Sequence, residues 1–274
     1  MRRALKRSER QGYACVVSVV GSRAATDGGA IPRVIHQTWK TRDIPEHLRA
    51  FQRSVVEHHP GWEVRLWTDE ENRAFIDEHY PWFSKTYAHY PYEIMRVDAV
   101  RPFLLQHYGG FYVDLDVECL GSFETLRRGE LASGLIARRP TGQVGLVLGL
   151  ERRLTRTPVC TNAVMASRPQ HPLWQQVFEA LELRARRKQP WFMPRENYIL
   201  NTTGPELIHG MLRKHSHEHQ DVLVVTPEVL SPLGWWQHRD GRDFSSAIAV
   251  HHYGSSWLPT HSLAWQNFLR AIAG

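Results

Sequence analysis

The segment Tyr108-Gly109-Gly110-Phe111-Tyr112-Val113-Asp114-Leu115-Asp116 constrains this chain more than any other stretch. A helix-like run feeds it, two glycines stop that run, and a short apolar stretch then ends on two acids. Successive side chains of a strand point to opposite faces. Alternation therefore puts Phe111, Val113 and Leu115 on a buried face, and Tyr112, Asp114 and Asp116 on the other. Two carboxylates on one face, roughly 6–7 Å apart at the rise of a strand, repel unless a cation or hydrogen-bond donors stand between them. Such a pair suits a hard divalent ion such as Mg²⁺ or Mn²⁺, which takes oxygen ligands and keeps positions open for phosphate. The plainer alternative is a solvated strand end with two surface acids, and the surrounding sequence must separate the two.

The chain around that segment alternates between strand and helix patterns. Ile31 to Gln37 is a first strand, and Leu48, Phe51 and Val55 fall at helical spacing between Pro45 and His59. Trp62 to Trp67 alternates strictly, and Thr68-Asp69-Glu70-Glu71 has the form of a capping box opening a helix. Strand, helix, strand, helix argues for a parallel α/β sheet. Pro91 to Tyr108 is a helix closed by Gly109-Gly110, with Pro102 inside it to kink or restart it. Further strands are expected at Val144–Leu150 and Asp221–Thr226, and an amphipathic helix with a strongly basic end at Pro172–Lys188. No internal repeat or low-complexity tract breaks the pattern.

The organisation expected is a basic, loosely ordered extension over residues 1–30 and one domain over 31–274. The first residues (Met1-Arg2-Arg3, Lys6-Arg7, then Ala14 to Val20) only faintly resemble a signal, with a short apolar run after a long basic one. The extension is expected to touch a membrane peripherally. No run approaches the ~18–20 apolar residues of a span. Cys15, Cys119 and Cys160 offer neither a paired framework nor metal spacing, so a reducing, cytoplasmic setting is expected. A net charge of +6 favours an anionic partner. No Lys/Arg-dense stripe carries regular aromatics, so nucleic acid is not expected to be that partner.

Other residues join the acids. Asp98 and Arg101 stand three apart on the preceding helix and share a face, as a sugar-hydroxyl site or as a surface ion pair. His36-Gln37-Thr38-Trp39 falls where the first strand ends, and ligands of open α/β sheets bind at the carboxyl ends of strands. Trp39 there suits stacking on a base or packing in a core. His251 and His252 follow a buried stretch, and alternation lets only one of them face the acids.

Together these strings resemble the Asp-x-Asp sugar transferases of glycosyltransferase family 32, and most of all their inositol-phosphoceramide mannosyltransferase branch. The likeness is carried by Ile31 to Lys40, Leu66 to Asp69, Tyr80 to Phe83, Arg96 to Arg101 and Tyr108 to Asp116, and within the branch by Tyr90 to Tyr92 and Asn201 to Pro205. The resemblance implies a GT-A type α/β fold, a single domain with a mostly parallel, Rossmann-like central sheet. It implies a retaining, Mn²⁺- or Mg²⁺-dependent hexosyltransferase using a nucleotide-sugar donor, GDP-mannose favoured and a UDP-sugar the alternative, and a glycan or glycolipid acceptor. By position, Asp116 resembles the direct metal ligand, Asp114 the residue shared with the ribose, and His251 the late metal ligand, with His252 the runner-up. Asp98, Arg101 and Asn162 resemble sugar-binding residues. His36, Gln37 and Trp39 resemble donor-site residues, Trp39 stacked on the base. Ser256 and Trp257 resemble a Ser-Trp pair near the diphosphate. Pro102 and Tyr253-Gly254-Ser255 depart from the family pattern. A non-catalytic sugar-binding module and a metal-dependent phosphohydrolase are the competing functions. The first is disfavoured by the intact acids, the second by the lack of further ligands at Val113 and Leu115.

Overall fold

A computed structural model describes residues 29–254 apart from 154–156, 238 and 240. Residues 1–28 of the basic extension, Ser256 and Trp257 lie outside the described residues. The chain opens as expected with β1 (Val34–Thr38), α1 (Glu46–His58), β2 (Glu63–Trp67) and α2 (Asp69–His79). The capping box at α2 is formed: Glu71 N–H donates to Thr68 Oγ1 at 3.2 Å, and Thr68 N–H donates to Glu71 Oε2 at 2.8 Å. Next come α3 (Pro81–Ala88), α4 (Glu93–Tyr108), β3 (Gly110–Val113) and β4 (Val117–Cys119). Then follow α5 (Glu124–Arg128), β5 (Ile136–Arg138), β6 (Leu146–Glu151), β7 (Val159–Ser167) and α6 (Pro172–Ala185). The described chain closes with α7 (Arg195–Thr202), α8 (Pro205–Lys214), β8 (Val222–Val225), α9 (Pro227–Leu230) and β9 (Ala249–His251).

Seven strands form one sheet in the order β2-β1-β3-β7-β6-β8-β5. Strands β2, β1, β3, β6 and β8 share one direction, while β7 in the middle and β5 at the edge oppose it. The sheet is therefore mixed with a parallel majority. Its two faces are packed by different layers, as period-two alternation requires. Tyr112, Leu146, Leu148, Met165, Val222 and Val224 pack into the layer holding α4, α6 and α8. Phe111, Val113, Val147, Ala166, Leu223 and Val225 pack into the opposite layer.

Helix α4 runs on through Pro102 rather than restarting. It is buried at every position from Asp98 to Leu105, so surrounding packing holds the turn that the missing proline N–H weakens. The two glycines after it are required twice over. Gly109 and Gly110 both have positive φ (+65° and +89°), a region L side chains rarely adopt. A Cβ on Gly109 would stand 2.6 Å from Pro169 Cδ, and one on Gly110 would stand 2.4 Å from the Val34 carbonyl oxygen. The double glycine is thus where a buried helix reverses hard against β1 to lay β3 beside it.

A second sheet pairs β4 with β9, Val117 opposite His251. This small sheet ties the end of the described chain to the acidic segment.

Candidate active site

The strand does not carry both acids. β3 ends at Val113, and Asp114 to Asp116 form a turn in which the Asp114 carbonyl accepts from Val117 N–H at 3.1 Å. Leu115 swings away to pack with Ile44 and Leu48. The pair is therefore brought together by a turn, not by alternation. One carboxylate oxygen from each acid and one ring nitrogen of His251 lie within 4.8 Å of one another, closer than strand spacing alone requires.

Each member is set by a different element. Asp114 N–H donates to Ala163 O of β7 at 2.8 Å, which continues the β3–β7 ladder and brings Asn162 alongside. Asp116 Oδ2 accepts from Gly254 N–H at 2.7 Å and faces His251 Nε2 at 3.4 Å. The register of β9 turns His251 inward. Alternation sends His252 to the other face, where it bonds Glu118 at 2.9 Å and stacks on Phe51. Of the two histidines, His251 stands with the acids.

Asp98 and Arg101 are no surface pair. Both are buried, at 6% and 4% exposure. Arg101 links three groups: it pairs with Asp98 Oδ1 at 3.3 Å and with Asp114 Oδ1 at 3.0 Å, and it donates to Asn162 O at 3.0 Å. Its guanidinium also lies 4.8 Å over the Tyr112 ring. Asp98 accepts from Asn162 Nδ2 at 3.0 Å and from Thr203 Oγ1 at 3.4 Å. Arg101 bridges the two acids through its terminal nitrogens, and its Nε is buried without a partner among the described residues.

Electrostatics make the two acids unequal. Burial pushes Asp114 up to about 6, against the pull of Arg101. Asp116 is also buried, but His251 and the Gly254 N–H hold it well below the usual carboxylate range. Burial disfavours charge on His251, yet the Asp116 carboxylate raises its affinity for a proton above the ordinary histidine value. Nδ1 of His251 is buried without a partner among the described residues.

These groups line one cavity of about 800 Å³, within the usual range for small-molecule sites. Trp39 sits in its wall just beyond the carboxyl end of β1, and Asp98, Asp114, Asp116, Asn162 and His251 line the same cavity. His36 and Gln37 do not join them. Both are fully buried within β1. His36 Nε2 bonds Gly109 O at 3.0 Å, and its Nδ1 accepts from Trp67 Nε1 at 3.1 Å. With both nitrogens taken and burial lowering its pKa to about 3, His36 is a neutral strut beneath the double glycine. The structure brings in residues that sequence reasoning missed: Glu151 at the end of β6, its partner Arg153 at 3.1 Å, and Thr203 on Asp98. Glu151 closes an apolar run, and an acid ending an apolar strand was the signal that could have found it.

The family model described as the glycosyltransferase sugar-binding region containing the DXD motif matches residues 45–132, which include Asp98, Arg101, Asp114 and Asp116. Over these residues the chain is similar to the DXD-containing glycosyltransferases. Among similar proteins, inositol phosphoceramide mannosyltransferase 2 of Schizosaccharomyces pombe is 34% identical over 227 residues, covering 83% of this chain and 58% of that protein. Mannosyl phosphorylinositol ceramide synthase SUR1 of Saccharomyces cerevisiae is 38% identical over 227 residues, covering 83% of this chain and 52% of that protein. The chain thus spans a little over half the length of these relatives. The catalytic domain of the alpha-toxin of Clostridium novyi shares the fold with a TM-score of 0.51 at 10% identity, covering 91% of this chain and 83% of that one. The chain has the GT-A type of α/β fold that the resemblance implied.

Proposed function

We propose that this chain transfers a hexose, with retention of configuration, from a nucleotide-sugar donor to a hydroxyl of a glycan or glycolipid acceptor. The convergence of Asp114, Asp116 and His251 at the floor of a cavity that also holds Asp98, Asn162 and Trp39 carries the reading. Mannose from GDP-mannose is favoured because the similar yeast proteins are named as mannosyl transferases or synthases. UDP-galactose, UDP-glucose and UDP-N-acetylglucosamine are the alternatives. The lipid in those names makes a glycolipid the first acceptor to try.

Two carboxylates and one imidazole form a donor set that fits Mn²⁺ or Mg²⁺, and Asp114, Asp116 and His251 would hold the ion. Such an ion supplies Lewis-acid neutralisation of the charge on a leaving diphosphate. The chain's own residues do the rest. Asp98, fixed by Arg101, Asn162 and Thr203, presents its remaining acceptor capacity to donor-sugar hydroxyls. Arg101 offsets part of the burial cost of Asp98 and Asp114 and keeps both aimed at the cavity. Trp39 offers an aromatic face for the base. Ser256 and Trp257, proposed to lie near the diphosphate, fall outside the described residues.

Retention by front-face attack has the acceptor hydroxyl add to the anomeric carbon as the bond to the diphosphate oxygen breaks, its proton passing to that oxygen. Glu151, which lines the same cavity and pairs with Arg153 at 3.1 Å, is a carboxylate outside both the Arg101 bridge and the proposed metal set. Mass spectrometry after rapid quench tests this step: a glycosyl adduct on Glu151 would refute front-face attack. Trp39→Ala is expected to weaken donor binding by about 1–2 kcal/mol with little change in kcat. An unchanged donor Kd would remove the stacking role.

A further inference from the structure

The basic end of α6 and the loop after it play no part in the chemistry above. From Arg184 to Arg195 the chain carries Arg184, Arg186, Arg187, Lys188 and Arg195 and no acidic residue. At the tip of this segment Trp191 is 95% exposed and Phe192 69% exposed, the two most exposed large apolar side chains among the described residues. Two adjacent aromatic side chains this exposed form the kind of apolar patch that marks an interaction surface.

The tip is presented by a braced loop. Tyr198 Oη donates to Arg187 O at 2.9 Å, Gln189 Nε2 donates to Met193 O at 2.8 Å, and Met193 N–H closes a turn on Pro190 O at 3.0 Å. Tyr92 Oη donates to Gln189 Oε1 at 2.8 Å, and the Arg195 guanidinium stacks 4.4 Å over the Tyr92 ring. Tyr92 and Arg195 both line the large cavity. The exposed aromatic pair therefore projects from the outer side of the cavity wall. Arg186, Arg187 and Lys188 are exposed beside it, and no ion pair engages them among the described residues.

We propose that the 186–195 loop docks on an anionic lipid bilayer, Trp191 and Phe192 entering the interface while Arg186, Arg187 and Lys188 meet the headgroups. Indole and phenyl rings partition to the membrane interface, and clustered Lys and Arg add attraction to anionic lipid. A second copy of this chain is a poor occupant, because a two-fold contact would set these like charges against each other. Docking goes beyond the transferase reading and does not depend on it, since adsorption requires no turnover. Its consequence is positional: it holds the cavity wall built on Tyr92 and Arg195 close to the lipid surface.

Vesicle sedimentation of the full chain tests this, with phosphatidylcholine vesicles and with vesicles in which about a third of that lipid is replaced by phosphatidylserine. The wild type is expected to bind the anionic vesicles and not the neutral ones. W191A/F192A and R186E/R187E/K188E should each weaken that binding by about tenfold or more, with melting temperatures unchanged because the altered side chains are exposed. Brominated lipid should quench wild-type tryptophan fluorescence more than that of W191F. Equal binding of wild type and both variants assigns adsorption to another part of the chain and overturns the proposal. So does failure of the wild type to bind anionic vesicles, or an oligomer that W191A/F192A dissolves. Donor hydrolysis by the same variants without vesicles separates the two readings: loss of hydrolysis in the wild type refutes the transferase, not the docking.

Discussion

Replacing Arg101 with methionine removes the one cation that joins Asp98 to Asp114. The change keeps most of the side-chain volume, so the cost is electrostatic rather than a cavity. Two ion pairs at 3.3 and 3.0 Å and a hydrogen bond to Asn162 O disappear together, and the Arg101 side chain that makes them is buried. Removing one partner of a buried ion pair costs about 3–5 kcal/mol, because the other charge is left without compensation. For a chain of 274 residues, an unfolding entropy of about 2.1 cal/mol/K per residue gives about 0.6 kcal/mol per degree. The melting temperature should therefore fall by about 5–9 °C. Burial already raises the pKa of both acids, and losing Arg101 raises them further. An acid with a raised folded pKa loses stability as pH rises, so R101M should be more damaged at pH 8 than at pH 5.5. Scanning calorimetry at both values is the assay, with Arg128→Ala as control. Arg128 is half exposed where it pairs with Glu124, and its loss should cost under about 1 kcal/mol. D114N added to R101M should recover part of the loss by removing a stranded charge. If R101M melts within about 2 °C of wild type at both values, the buried bridge does not do what is claimed for it.

Gly110→Ala should destabilise by about 3 kcal/mol or more, because positive φ and a 2.4 Å approach to the Val34 carbonyl both oppose a Cβ; a urea midpoint equal to wild type would contradict this. Asp116→Asn should abolish Mn²⁺-stimulated turnover while moving the melting temperature by only a few degrees, since an amide oxygen can still accept from Gly254 N–H; retained turnover would refute the metal role. Glu124 has its pKa lowered, chiefly by its hydrogen bond to Arg127 and then by those to Arg33 and Arg128. A depressed carboxylate stabilises above its unfolded pKa and loses that contribution as pH falls. Glu124→Gln should therefore cost about 1 kcal/mol at pH 7, and the gap to wild type should close as the solution is acidified through the carboxylate range. Parallel melting curves down to pH 3 would count against it.

Much of the fold was legible because its early elements are locally consistent. Pro45 to Trp67 gives a helix and a strand by period alone, and Thr68 and Glu71 announce α2 by their capping chemistry. β7 was missed, although it is the longest strand described and sits in the middle of the sheet. It is buried on both faces, so no alternation marks it, and Thr161 and Asn162 interrupt its apolar run. The three-residue strands β4 and β9 carry too little pattern to register, yet they set His251 against Asp116. In the site, the sequence pointed to Asp114 and Asp116 through strand spacing, and the structure reaches their closeness through a turn. Arg101 was legible as a neighbour of Asp98. That it also bridges to Asp114 and bonds Asn162 O depends on the packing of α4 against β7, which no local pattern encodes. His36 misled because a strand end and a strand interior read alike when every position is buried.

The most direct test of the whole account is donor hydrolysis by the purified chain across GDP-mannose, UDP-galactose, UDP-glucose and UDP-N-acetylglucosamine, with Mn²⁺ and with a chelator. The account predicts turnover of one donor, GDP-mannose first, that the chelator removes, that Mn²⁺ restores and that Asp116→Asn lacks. Donor binding without turnover of any of the four, or turnover indifferent to the chelator, would contradict it.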